Sequence, residues 1–112
     1  MTEDPKEKRQ VARAAALIER EVARGFEIPC GAIRAARRDR APVVRARHVA
    51  MYLERILLEL DYGTIGRRFG RHRTAIAYAC RRIEEGRDDP ALDDRLERLE
   101  GRLGPRLAGA DR

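Results

Sequence analysis

The chain contains no serine among its 112 residues, so a serine nucleophile is excluded, and no G-x-x-x-x-G-K-[ST] run is present to cradle a phosphate. Gly63, Gly66 and Gly70 do not match a dinucleotide-binding loop, and no strand pattern precedes them. Cys30 and Cys80 stand far apart in unlike settings, which suggests neither a zinc site nor a redox pair; two buried free thiols in a reducing cytoplasm are expected. His48 and His72 lack partners at metal-ligand spacing, and Asp88, Asp89, Asp93 and Asp94 read as a helix cap and a solvated face. No apolar run approaches the length of a membrane span, and the opening MTEDPKEKRQ lacks the apolar core of a signal peptide. An enzyme has no constellation to stand on, and a cytoplasmic protein without cofactor, metal or membrane partner is expected.

Lysine is nearly missing too. Lys6 and Lys8 are the only two, and arginine carries the remaining positive charge. The formal net charge is +6 and the pI about 10.1, which favours an anionic partner. That charge is concentrated: from 67 to 82 the chain has Arg67, Arg68, Arg71, Arg73, Arg81 and Arg82 and no acidic residue. Such a run repels itself unless a polyanion neutralises it. A chain of 112 residues has the length of one domain with a modest helical core.

The basic run lies within DYGTIGRRFGRHRTAIAYACRRIEE, residues 61 to 85. Asp61 predicts a helix cap, Ile65 and Phe69 give the helix a buried edge, and Gly70 supplies the left-handed residue that ends it. After the turn, Ile76, Ala79, Cys80 and Ile83 define one inward face and leave Thr74, Ala75, Tyr78, Arg81 and Arg82 outside. A helix, a glycine turn and a second helix with an arginine-rich outer face make the pattern of a helix-turn-helix DNA reader.

Around this stretch, Asp4 and Pro5 open a helix whose stripe is Val11, Ala14, Leu17 or Ile18, and Val22, closed by Gly25. A brief helix follows near Cys30 to Ala36. In RRDRAPVVRAR, Arg37, Arg38, Arg40, Arg45 and Arg47 oppose only Asp39, and Pro42 divides the segment into an arm and a helix start. Val44 to about Leu60 has the strongest helical period and is expected to be the central helix. Asp89 and Pro90 start a last helix with Leu92, Leu96, Leu99 and Leu103 on one side, packed on the domain or, in the rival reading, on a second copy.

Three motifs, RARHVAMYL (Arg45 to Leu53), I-G-x-x-F-G (Ile65 to Gly70) and R-T-x-I-x-x-A-C-R-R-I-E (Arg73 to Glu84), together resemble the C-terminal DNA-binding domain of the bacterial replication initiator DnaA, over about Phe26 to Leu103. Small stand-alone proteins of this type occur in bacteria, and the chain resembles them more than a fragment. The resemblance implies an all-α, Trp repressor-like domain of about six helices over residues 26–103. An N-terminal amphipathic helix (1–25) and a frayed tail (104–112) would flank it. It implies double-stranded DNA as partner, a regulatory link to chromosomal replication initiation at the nucleoid, and no nucleotide cofactor. An adaptor that touches replication-initiation proteins through its end helices, or a transcriptional regulator, are the rival readings.

By the same resemblance His72, Arg73, Thr74 and Ala75 would enter the major groove, with Arg73 donating two bonds to a guanine edge and Thr74 touching a thymine methyl or a phosphate. Arg38, Arg40, Arg45, Arg47, His48, Arg71 and the amide of Gly63 would hold the DNA backbone. The family usually reads Asp-His-Thr-Thr where this chain has His72, Arg73, Thr74 and Ala75, and the chain is one residue shorter at the glycine turn. The family's minor-groove arginine falls in register on Asp39, so Arg38 or Arg40 would substitute.

Overall fold

Helix α1 (Pro5–Gly25) begins where proline needs no amide partner and the Asp4 carboxylate accepts from the Lys6 amide at 2.9 Å. In this computed structural model, which describes residues 4–35 and 39–110, five further helices follow among the described residues: α2 (Cys30–Ile33), α3 (Ala41–Leu58), α4 (Tyr62–Phe69), α5 (Arg73–Gly86) and α6 (Pro90–Ala110). No strand is present among them, so the fold is all-α. Gly25 does not close α1 by a left-handed turn. Glu27 takes that conformation (φ 56°), and the Ile28 amide donates back to the Ala23 carbonyl at 3.0 Å.

α3 is the central helix, with Ala46, Val49, Ala50, Met51 and Leu53 all buried among residues of α1, α4, α5 and α6. The stripe of α1 closes on this core through Leu17, Ile18 and Val22, whereas Val11, one turn before it, remains exposed. Leu92, Leu96, Leu99 and Leu103 of α6 are buried in the same core, so the seam offered by their spacing is filled within the chain. α6 also runs past the point where fraying was expected. Pro105 removes one helical hydrogen bond, but Leu107 packs against the core and Arg106 Nη1 donates to Glu21 at 2.9 Å, which holds the last turns down. Cys80 is buried as expected; Cys30 is exposed instead, because it opens the short α2.

One charged cluster lies inside the fold. Glu19 of α1 is buried, and Arg68 of α4 grips it with Nε at 2.6 Å and Nη2 at 3.0 Å; Arg34, after α2, adds Nε at 3.2 Å. Glu54 of α3 is fully buried, and no donor reaches either of its oxygens. It faces the Glu19 carboxylate. Two buried acceptors can face each other only if one carries a proton, so Glu54 is the neutral partner and donates to Glu19. Burial first, then the Glu19 contact, holds the Glu54 carboxyl far above its ordinary range.

A carboxyl that keeps its proton when folded and loses it when unfolded makes stability fall as pH climbs above the ordinary value of 4.5. The limiting slope for one such group is about 1.4 kcal/mol per pH unit. Glu54→Gln keeps a donor for Glu19 without a titrating proton. Urea unfolding between mildly acidic and mildly basic pH is expected to lose this slope in the variant, with the variant the more stable protein at the basic end.

Candidate nucleic-acid interface

The Asp61 carboxylate caps α4 by accepting from the Thr64 amide at 2.7 Å, and α4 ends at Gly70, whose φ of 66° suits glycine. The chain then folds back sharply: the Arg71 amide donates to the Gly66 carbonyl at 2.9 Å. Gly66 is where the turn and the helix come closest. A Cβ there would lie 2.5 Å from the Arg71 carbonyl oxygen, which is backbone and cannot swing aside. Gly66 therefore sets the angle at which α5 leaves α4.

His72 caps α5 with an imidazole where an acid is usual. Its Nδ1 accepts from the Thr74 amide at 3.2 Å and lies 3.0 Å from the Thr74 hydroxyl, so the ring carries its hydrogen on Nε2. Ile76, Ala79, Cys80 and Ile83 face inward, as their spacing predicts. Arg73, Thr74 and Ala75 are exposed, and Tyr78, Arg81 and Arg82 continue the open side of the helix.

The basic run divides once folded. Arg67, Arg73, Arg81 and Arg82 are exposed, whereas Arg68 is bound to Glu19. Arg71 is half-buried and clamps the turn, donating Nη1 to the Phe69 carbonyl at 2.9 Å and Nη2 to the Ala35 carbonyl at 3.0 Å. Arg40 and Arg45, at the start of α3, are exposed. Arg38 lies outside the described residues.

Arg47 corrects an expectation. Placed by resemblance at a DNA phosphate, it is only 4% exposed, and its guanidinium faces inward. Nε donates to the Ile33 carbonyl at 2.9 Å, and Nη2 donates to the Ala32 carbonyl at 2.8 Å and to Asp39 at 2.9 Å. Arg47 thus fastens α2 and the base of the arm to α3. The Gly63 amide lies in the first turn of α4, which the Asp61 carboxylate caps through the Thr64 amide.

His48 is half-buried and meets Tyr78 edge-on, with ring centroids 6.5 Å apart and planes at 88°. Both line an open concavity of about 330 Å³ between α3 and α5, with Val44, Met51, Ala75 and the Asp39, Arg47 and Arg71 group. No local pattern marks Tyr78, Ala75 and His48 as sharing one wall, because their meeting depends on how α5 crosses α3. Arg82 also reaches the field of His48, a neighbour found only once the helices are packed.

Two substitutions test this frame. Gly66→Ala is expected to destabilise by about 1–3 kcal/mol, since the turn must move to admit the methyl group; thermal unfolding measures it. Arg47→Ala leaves the buried Ala32 and Ile33 carbonyls without their donor and removes the Arg47 pair with Asp39, and is expected to cost about 3–5 kcal/mol in urea unfolding. Unchanged stability with weakened DNA binding would return Arg47 to the interface.

The model of the bacterial dnaA protein helix-turn-helix matches residues 15–83, from inside α1 to the end of the inward face of α5. The chromosomal replication initiator protein DnaA of Bradyrhizobium sp. is 43% identical over 89 residues, covering 77% of this chain and 18% of that protein. DnaA of Bartonella quintana is 40% identical over 93 residues, covering 81% of this chain and 19% of that one. DnaA of Rhodopseudomonas palustris (strain BisA53) is 42% identical over 88 residues, covering 77% and 18%. The chain thus spans about a fifth of the length of these relatives. With the glycine-set turn, the exposed first turn of α5 and a match over more than half the chain, this protein belongs to the bacterial DnaA helix-turn-helix family.

Proposed function

We propose that the chain is a non-catalytic module that binds double-stranded DNA sequence-specifically and acts in the cytoplasm, at the nucleoid, as a regulator linked to chromosomal replication initiation. The observation that carries this reading is the open first turn of α5. Arg73, Thr74 and Ala75 are exposed, at the position where helix-turn-helix proteins address base edges. Arg73 presents the fork that fits the two acceptors of guanine, and Ala75 offers a methyl to thymine. Arg40, Arg45, Arg81 and Arg82 supply the cationic surroundings for backbone phosphates, with His48 set among them.

An adaptor role finds less support. The leucines of α6 and the α1 stripe from Leu17 to Val22 are taken up by the core, which leaves Val11 as the large apolar residue exposed on either end helix among the described residues. The loss of the usual acid and second threonine at His72 and Ala75 points to a preferred sequence unlike that of the full-length initiators.

Selection of bound duplexes from a random pool, followed by gel shifts against random competitor, tests the reading. A distinct motif is expected. The log–log salt slope should be on the order of −4 to −5 if about five phosphates are neutralised. Arg73→Ala is expected to cost about 1–3 kcal/mol on the selected site and to relax the preference at one base pair. Equal binding of all duplexes by the wild type would remove the base-reading role.

A further inference from the structure

We propose that His48 couples DNA binding to the uptake of one proton: neutral in the free protein, its imidazole takes a proton from solvent when a backbone phosphate seats at the concavity between α3 and α5. This rests on the DNA-binding reading above and adds a regulatory property to the same surface.

The geometry carries it. The imidazole lines an open concavity, and the edge-on contact with Tyr78 fixes its ring in place. Positive charge surrounds it from every packed element: Arg45 and Arg47 on α3, Arg71 from the turn and Arg82 on α5. Tyr78 contributes a neutral phenol. The acid in the lining, Asp39, accepts from Arg47 at 2.9 Å, so its charge is matched within the fold. In the free protein this setting disfavours an imidazolium, and His48 accordingly titrates below its ordinary value of 6.5, by burial first and then by the four arginines.

A phosphate reverses both causes. It brings a negative charge and a strong acceptor to the opening, and it neutralises the exposed Arg45 and Arg82 that repel the proton. An opposite charge at contact distance moves such a group upward by about 1–3 pKa units, against the direction that burial and the arginines impose. An arginine here would contribute the same charge at every pH; the histidine contributes it conditionally, and affinity rises as pH falls.

The test is duplex affinity of the full chain by fluorescence anisotropy at fixed ionic strength between about pH 8 and about pH 6, with ring NMR titration of the histidines, free and bound. The chain has 2 histidines, and His48→Gln identifies the His48 signal by removing it. Wild-type binding should tighten by about three- to tenfold over that range. His48→Gln should bind with a flat profile, and the wild-type His48 midpoint should move upward in the complex. A variant that keeps the wild-type profile, or a His48 midpoint that stays or falls on binding, would overturn the proposal while leaving the DNA reading intact. Absence of duplex binding at every pH would overturn both.

Discussion

A buried carboxylate must find its counter-charge inside the protein, and Glu19 imposes that condition on most of this fold. Its grip by Arg68 ties α1 to α4, its contact with Arg34 draws in the segment after α2, and the protonated Glu54 ties it to α3. Removing water from such charges costs more than an isolated pair returns, so the arrangement holds only because the bonds are short and paired. Its benefit is register: α4 can meet α1 in one rotation only, which fixes the face that α4 and its turn present. The turn that leads into α5 is thus tied, through Arg68 of α4, to a buried acid of α1.

A second set of polar bonds does for the arm what Glu19 does for the core. Arg47 and Arg71 reach from α3 and from the turn to the carbonyls of Ala32, Ile33 and Ala35. Backbone that would otherwise belong to a loose basic segment is held beside the start of α5. Two arginines with the composition of DNA contacts therefore serve as internal ties, while Arg40, Arg45, Arg81 and Arg82 stay exposed.

Most of the helical plan was legible in the residues themselves. Period and caps marked α1, α3, α4, α5 and α6, and the four inward positions of α5 lie where their spacing put them. What periodicity could not show is where a long side chain turns after it leaves its helix. Arg47 and Arg68 look like any other arginine of a basic run until the carbonyls of α2 and the Glu19 carboxylate are brought beside them by tertiary packing. The end of α6 misled for a related reason: glycine and proline signal a break locally, but Leu107 and the Arg106 to Glu21 bond outweigh that signal. The wall shared by His48 and Tyr78 has no local signature, since it arises from the crossing of two helices distant in the chain.

The leucines of α6 complete the core, whereas the helix-turn-helix family model ends at Ile83, before α6 begins. The end of that model and the end of the core thus differ in this molecule. A piece trimmed to the recognisable motif would open a leucine-lined trough along α1 and α3 to water. A core closed to water therefore takes in a helix that lies beyond the end of the helix-turn-helix model.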